Sequence, residues 1–151
     1  MLTKKSKYAI KALCYLAQIE PGTLTGAQEI SDAEQIPKKF LDAILIELKN
    51  SGLIFSKKGV GGGFSLVKRP AEITVGEVLR VTSGFLAPIQ CASKTQYRPC
   101  DDCQDIDECN IRRVMQKARD ALSEVYDNYT LERIVAVTKP DIRSNKSKNI
   151  R

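Results

Sequence analysis

Four of the five cysteines in this 151-residue chain fall within one short segment, at positions Cys91, Cys100, Cys103 and Cys109. Their spacing is C-x8-C-x2-C-x5-C, and the chain contains no histidine. Clustered thiols bind soft metal ions and iron–sulfur clusters, and they also act as thiol switches. The cysteines therefore leave three interpretations open: an iron–sulfur cluster, a tetrahedral zinc site, or a metal-free loop whose thiols are redox-active or inert.

The cysteine segment is strongly acidic. Five acidic residues surround the thiols, namely Asp101, Asp102, Asp105, Asp107 and Glu108. Because a nearby anion raises the pKa of a thiol, this setting disfavours free thiolates. A bound cation or a cationic iron core would offset the repulsion and hold the loop in one conformation. The acidic setting thus favours a bound metal centre and leaves its type open.

The pair Cys100-x-x-Cys103 also has the spacing of thioredoxin-like oxidoreductases. In those enzymes the motif normally follows a strand within a βαβ unit, and no such unit is predicted here. We therefore expect this protein not to be an enzyme. The fifth cysteine, Cys14, lies near the apolar face of the first predicted helix and is interpreted as packed core.

The clustered cysteines are predicted to lie mostly on a loop, residues 85–106, between two helices. The helix before it begins with the capping-box pattern Thr74-x-x-Glu77 and ends at Gly84. The helix after it begins near Asp107 and repeats apolar residues for about five turns. Such a long helix in a small chain is expected to expose part of its stripe. We therefore predict a homodimer whose seam contains Val114, Ala118, Leu122 and Val125. The alternative is a helix that only folds back on its own domain.

Three helices are predicted in the first fifty residues. The first covers about residues 4–19, with apolar residues at helical spacing. The second begins with the capping-box pattern Thr25-x-x-Gln28. The third has Pro37 in its first turn and Gly52 after its end. The last two helices, joined by a tight turn, are typical of a helix-turn-helix, whose second helix enters the major groove.

A basic hairpin follows the third helix. Two short strands, about residues 53–57 and 64–68, flank the sequence KGVGGG. The glycines suit a tight tip because they tolerate positive φ angles. One interpretation is an ordinary hairpin turn. The functional one is a DNA-binding wing, in which Lys57 and Lys58 supply charge while the backbone approaches phosphates or a minor groove. The order of these elements predicts a mainly α winged helix-turn-helix.

The charge distribution agrees with a polyanionic partner for the first half of the chain. Residues 1–70 carry 11 Lys and Arg against 6 Asp and Glu, whereas residues 71–138 carry 8 against 11. Residues 139–151 carry 5 against 1 and are predicted to be a disordered basic tail. No apolar run approaches the roughly 18 residues of a membrane span, and no signal-peptide core is visible. We expect a cytoplasmic protein without a membrane partner.

Composition and pattern divide the chain into four predicted regions. Residues 1–70 form the DNA-binding region, and residues 71–106 contain a linking helix and the cysteine-rich sensor loop. Residues 107–138 contain the dimerisation helix and a short final helix, and residues 139–151 form the tail.

Four segments together resemble the Rrf-two (Rrf2) family of bacterial transcription regulators, whose members include IscR, NsrR and CymR. The segments are LTKKSKYAIKAL, IPKKFLDAILIELKNSGLI, SKKGVGGGFSLVKRP and ITVGEVLRV, and the match extends to about residue 137. The resemblance implies a winged helix-turn-helix with a long dimerisation helix that crosses to the partner subunit. It also implies a homodimer on palindromic promoter DNA. Several members bind an iron–sulfur cluster through cysteines that precede the long helix.

The resemblance assigns roles to particular residues of this chain. Cys91, Cys103 and Cys109 match the three cluster cysteines of the family. A histidine follows three residues after the last cysteine in IscR-like members, whereas Arg112 stands there in this chain. Arginine is not a usual metal ligand, so Cys100 is the candidate replacement. The front of the recognition helix and the wing correspond to Lys38, Lys39, Phe40, Asp42, Lys57, Lys58, Gly59, Gly61, Gly62 and Gly63.

Two classes of function follow. The first is a dimeric, sequence-specific DNA-binding regulator controlled by an iron–sulfur cluster or by cysteine redox state. The second is a metal-binding or thiol-redox protein without sequence-specific DNA binding, whose basic face serves another partner.

Overall fold

A computed structural model describes residues 2–138, and the predicted tail 139–151 lies outside the described residues. Within residues 2–138 the chain forms six α-helices and one two-stranded antiparallel sheet, which confirms the predicted winged helix-turn-helix. No helix in this part of the chain is long and apolar enough to span a bilayer. The elements are α1 (Lys4–Leu16), α2 (Ala27–Glu34), α3 (Lys38–Asn50), β1 (Ile54–Lys57), β2 (Gly63–Leu66), α4 (Val75–Ser83), α5 (Asn110–Asn128) and α6 (Leu131–Thr138).

Helix α1 lies at the centre of the fold and contacts α2, α3, α4, α6 and β2. Its small residues Ala9 and Ala12 are fully buried, so neighbouring helices approach it closely. The core around it is aliphatic and consists of Leu13, Leu16, Ile30, Ile36, Leu41, Ile44, Leu45, Leu48, Leu53, Ile54, Ile73, Val78 and Leu131. This single core fixes the helix-turn-helix and the wing relative to one another.

Two capping predictions have different outcomes. The one at Thr25 is wrong, because Gly26 is the N-cap of α2 and no side chain caps that helix. The one at Thr74 is correct for the hydroxyl, which accepts a hydrogen bond from the Glu77 amide at 3.1 Å. The Glu77 carboxylate does not complete the box, since it pairs with Lys68 at 2.9 Å.

Two helix boundaries also differ from the prediction. Helix α1 ends at Leu16 instead of residue 19. After Leu16 the amides of Gln18 and Ile19 donate to carbonyls three residues earlier, which makes a tighter turn than an α-helix. Helix α5 begins at Asn110 instead of near Asp107. The Asp105 carboxylate accepts a hydrogen bond from the Asp107 amide at 2.8 Å, which gives the backbone a local alternative to the helix.

Thr25, which does not cap α2, joins the wing to the helix-turn-helix. Its amide donates to the Phe64 carbonyl at 3.0 Å, and the Phe64 amide donates to the Thr25 carbonyl at 2.8 Å. Strands β1 and β2 pair in a register that places Ile54 opposite Leu66 and Lys57 opposite Gly63. The base of the wing is therefore bonded to the residues that lead into α2.

Helix α5 is held on the rest of the chain mainly by polar contacts, because none of its 19 residues is buried. At its carboxyl end the Val75 amide donates to the Tyr129 carbonyl at 2.8 Å. Arg80 of α4 donates two hydrogen bonds to Asp127, at 2.6 and 2.8 Å. This pair lowers the pKa of Asp127, chiefly through the hydrogen bond from Arg80. Gly76 leaves room for it, since a Cβ there would collide with the Asp127 carboxylate.

Candidate DNA-binding face and cysteine cluster

The turn between α2 and α3 is tight and internally bonded. Gln35 adopts a left-handed conformation, with φ of 54° and ψ of 45°. The buried Ser31 hydroxyl donates to the Ile36 carbonyl at 2.7 Å, and the Ile36 side chain is in the core. These contacts fix the angle at which α3 leaves the turn. Pro37 is the N-cap of α3, one position before the first turn where the sequence placed it.

Helix α3 presents a continuous outward face. Its inward residues, among them Leu41 and Leu48, are buried in the core. Lys39, Ala43 and Ile46 are exposed at intervals of three or four residues and therefore share the opposite side of the helix. Ile46 is 59% exposed and adds an apolar side chain to this face.

The four residues predicted at the front of the recognition helix lie on its first two turns. The Lys38 ammonium pairs with the Asp42 carboxylate at 2.5 Å, so the two charges offset each other. Lys39 is exposed and has no such partner among the contacts at this end of α3. Phe40 is 55% exposed and meets the ring of Tyr8 edge-on, with 6.4 Å between ring centroids. That contact fixes the aromatic side chain at the helix start.

The wing tip exposes both predicted lysines, Lys57 and Lys58. Gly59 and Gly61 have φ angles of 90° and 71°, as expected for a glycine-rich turn. Val60, between those two glycines, is completely exposed at the tip. An apolar side chain held out by a flexible tip is suited to contact a groove of DNA.

The last two glycines of the wing serve the fold itself. A Cβ at Gly62 would collide with the Lys57 carbonyl across the hairpin. A Cβ at Gly63 would lie 2.6 Å from the Thr25 carbonyl oxygen, and φ at Gly63 is 148°. These glycines therefore permit close approach of the chain to itself, in addition to the approach to DNA that the sequence predicts.

Sequence reasoning missed three exposed residues of this face, Ala43, Ile46 and Val60. Ala43 lies four residues after Lys39, so helical spacing could have placed it on the outward side of α3. Val60 could have been found as the one apolar residue within the glycine-rich tip.

The four clustered cysteines lie at one end of α5. Cys91 belongs to a single turn of 3-10 helix, Gln90–Ala92, which we call the Cys91 turn, and it is 3% exposed. Cys109 is the N-cap of α5, where its sulfur accepts a hydrogen bond from the Arg112 amide at 3.4 Å. Cys100 and Cys103 are half-buried on the loop between them.

The four thiols form one chain of side-chain contacts. The pKa of Cys100 is raised first by a hydrogen bond with Cys91 and then by burial, whereas a hydrogen bond with Cys103 lowers it. Burial, followed by a hydrogen bond with Cys109, raises the pKa of Cys103 to about 11. Among the acidic residues only Asp102 contributes to these shifts, and its effect on Cys100 is the smallest cause. The raised pKa of Cys100 is therefore due to Cys91 and to burial more than to the acidic setting.

These contacts do not form a compact single-ion site. Within residues 2–138 no group of three or more Cys, Asp or Glu side chains is arranged to hold a metal ion. The thiols instead contact one another in pairs: Cys91 with Cys100, Cys100 with Cys103, and Cys103 with Cys109. The structure thus brings the predicted ligands to one place without assigning them a metal. Cys14, far from this group, has its pKa raised to about 11 by burial and by Glu34, which agrees with a packed core residue.

Within residues 2–138, helix α5 has a second side on which apolar residues are exposed. The side that faces its own chain carries Arg112, Met115, Arg119 and Tyr126, which are partly covered. Exposed apolar residues line the adjacent side at helical spacing, namely Ile111, Val114, Leu122, Val125 and Tyr129. Ala118 lies between them and is half-buried. Leu122 also lines a cleft of about 400 Å³ together with Leu79, Phe85, Leu86, Pro88 and Tyr126.

Three comparisons bear on this arrangement. A family model described as "Rrf2: Iron-dependent Transcriptional regulator" matches residues 2–137. The chain is 39% identical over 144 residues to an rrf2-like HTH-type transcriptional regulator of Rhodobacter capsulatus, a match that covers 93% of this chain and 95% of that relative. It is 32% identical over 130 residues to the HTH-type transcriptional regulator NsrR of Geobacillus kaustophilus, covering 86% of each chain. Among solved structures, CymR, the global cysteine regulator of B. subtilis, superposes with a TM-score of 0.72 at 26% identity, covering 91% of this chain and 98% of that one.

Proposed function

The chain belongs to the Rrf2 family of transcriptional regulators, and from this premise we propose a dimeric, sequence-specific DNA-binding regulator whose cysteine loop holds an iron–sulfur cluster. Family membership makes it a DNA-binding regulator and not an enzyme, which sets aside the metal-binding or thiol-redox protein without such binding. Dimerisation, sequence specificity and the cluster are the proposed parts, and each has its own support and its own test.

The outward face of α3 carries the proposal of sequence-specific binding. Lys39, Ala43 and Ile46 face away from the core on a helix whose start is fixed by a bonded turn. A lysine can donate to guanine, a carboxylate such as Asp42 can accept from cytosine, and a small apolar side chain can contact a thymine methyl group. The front of α3 therefore offers groups that distinguish base pairs, while the lysines of the wing offer charge to phosphates.

The exposed apolar side of α5 supports a homodimer. Val114 and Val125 are 60% and 57% exposed and lie on one side of a helix that has no buried residue of its own. A second copy of α5, packed along this side, would cover both residues together with Ala118 and Leu122. Two recognition helices would then reach successive major grooves of a palindrome, with half-site centres roughly 34–36 Å apart.

The donor set of the cysteine loop fits an iron–sulfur cluster. Four thiols in one chain of contacts supply the number and type of ligand that such clusters take. Cys100 takes part in those contacts, which supports it as the ligand in place of the histidine that this chain lacks. When bound, a cluster supplies a redox-active centre that requires the cysteines as thiolates. Zinc held by the same four thiols and a metal-free loop remain the alternatives.

The chain itself offers a route from the cysteines to the DNA-binding region. Cys109 caps α5, so a displacement of its sulfur changes the first turn of that helix. The other end of α5 is bonded to α4 through Asp127 and Arg80, and α4 packs on α1. A tilt of α5 would therefore change the separation of the two DNA-binding regions in a dimer.

Replacing Lys57 and Lys58 with alanine is expected to weaken binding to all DNA sequences. The slope of log affinity against log salt concentration should fall by about one for each phosphate contact that is lost. Lys39→Ala should instead alter sequence preference more than the wing variants do. Mobility-shift titrations with genomic fragments at two or more salt concentrations measure both effects. Lys117→Ala, which removes an exposed charge from α5, is the matched control. Normal binding by the double wing variant would show that the wing assignment is wrong.

Leu122→Glu is expected to dissociate the dimer, because a carboxylate in the apolar seam would be buried without a partner. Operator affinity should fall as well, since a monomer offers only one half-site contact. Sedimentation velocity measures the association state directly. Lys117→Glu places the same carboxylate on an exposed position of α5 outside the seam and should sediment as wild type. An intact dimer of the Leu122 variant would rule out this seam.

Anaerobic reconstitution with iron and sulfide is expected to give a visible charge-transfer band. Serine at Cys91, Cys103 or Cys109 should abolish the band because each removes a thiolate ligand. Cys100→Ser should abolish or strongly weaken it if Cys100 is the fourth ligand, whereas Cys14→Ser should leave it unchanged. A colourless wild-type protein that forms a Cys100–Cys103 disulfide on mild oxidation would favour the thiol switch instead. Stoichiometric zinc would indicate a structural site.

A further inference from the structure

Two arginines of α5 bond the Cys91 turn from the same side of the helix. The Arg112 Nε donates to the Cys91 carbonyl at 2.9 Å, and the Arg119 Nη1 donates to the Ala92 carbonyl at 2.5 Å. Arg112 and Arg119 are seven residues apart, so they stand two turns apart on one face of the helix. Two consecutive carbonyls of the turn are thus bonded to two successive positions along α5.

Those two carbonyls would otherwise lack a partner in the turn. The hydrogen bonds of the Cys91 turn use the carbonyls of Ile89 and Gln90 as acceptors. The next two carbonyls, at Cys91 and Ala92, are the free acceptors at the end of a short helix. Because Cys91 and Ala92 are buried, a bond from a charged guanidinium to each of their carbonyls is stabilising.

The guanidinium of Arg119 is enclosed in its own network. Its side chain is only 11% exposed, and it pairs with Asp120 at 2.8 Å. Lys94, two residues after the Cys91 turn, pairs with the same Asp120 carboxylate at 3.2 Å. The Asp120 pKa is lowered first by the hydrogen bond from Arg119 and then by that from Lys94. The segment that follows Cys91 is therefore attached to α5 by a second, ionic contact.

Arg112 contacts both ends of the cysteine loop. Its side chain holds the Cys91 backbone, and its amide donates to the Cys109 sulfur at 3.4 Å. One residue thereby links the first and last cysteines of a loop that spans positions 91–109. This is the position that carries a histidine in the resembled pattern, so the chain has a structural link there in place of a nitrogen ligand.

From these contacts we propose that Arg112 and Arg119 are positioning residues that hold the Cys91 turn on α5, the helix whose N-cap is Cys109. The regulatory role of this coupling between the Cys91 turn and α5 rests on the proposed function. The arginines do not bind a metal themselves. They hold the backbone at Cys91 on α5, and Cys109 is the N-cap of the same helix. Both cysteines therefore move with α5.

The test measures cysteine alkylation in protein that has been freed of metal by a chelator. Wild type, Arg112→Gln and Arg119→Gln are treated with N-ethylmaleimide, and the rate at each cysteine is read by peptide mass spectrometry. Cys91 should react about tenfold faster in either variant, the factor for a loss of roughly 1.4 kcal/mol of positioning. Cys14, half-buried in the core far from α5, reports global opening and should keep its wild-type rate.

Three further measurements decide the outcome. Lys117→Gln removes a charge from an exposed position of α5 and should leave the Cys91 rate unchanged. Arg112→Lys and Arg119→Lys, which keep the charge and lose the guanidinium geometry, should still accelerate Cys91 and serve if a glutamine variant does not fold. An unchanged Cys91 rate in all arginine variants would overturn the proposal, and so would equal acceleration at Cys91 and Cys14.

The reconstituted protein gives a separate readout. If wild type forms the visible band, its loss to a chelator should be several-fold faster in the arginine variants than in Lys117→Gln. If wild type forms no band, the iron–sulfur proposal fails while the alkylation result still tests the positioning role. Band loss at the wild-type rate in both arginine variants would count against the coupling even if the cluster is present.

Discussion

No residue of α5 is buried, and this is the constraint on which the rest of the architecture depends. The other long helices, α1 and α3, each contribute buried residues to the core, whereas α5 contributes none. It is held at its carboxyl end by the Arg80–Asp127 pair and at its amino end by arginine contacts to the Cys91 turn. A helix attached by polar contacts at both ends, with an apolar side left exposed, suits both a dimer seam and a movable connection.

The proposed DNA-binding region has the opposite character. Helix α1 is enclosed by its neighbours, the turn before α3 is bonded internally, and the wing is tied to Thr25 by two backbone hydrogen bonds. Such a region holds α3 and the base of the wing in a fixed relation to each other. Regulation in the proposed mechanism therefore acts on the relation between two such regions through α5, and not on the shape of either region.

The sequence predicted the order of elements well because apolar periodicity and glycine-rich turns are local signals. The prediction was wrong where a residue distant in sequence determines the local structure. At Thr25 the backbone pairs with Phe64, and the side chain does not cap α2. The prediction placed three of the four clustered cysteines on one loop and Cys109 at the start of the next helix, but it could not show that Cys100 bridges Cys91 and Cys103. It identified Arg112 only as the residue at the position where IscR-like members have a histidine. The bond from Arg112 to the Cys91 carbonyl joins residues 21 positions apart, and no local pattern indicates it.

The most direct test of a cysteine-controlled DNA-binding regulator is to compare operator affinities of the same dimer with and without its reconstituted cluster. Anaerobic fluorescence anisotropy on one labelled operator, at a fixed salt concentration, measures both. Coupling between two sites of one protein is typically worth about 1–3 kcal/mol, so the two affinities should differ by roughly 5- to 150-fold. The difference should shrink when both Arg112 and Arg119 are replaced by glutamine. Equal affinities of the two wild-type forms would contradict control by the cysteine loop.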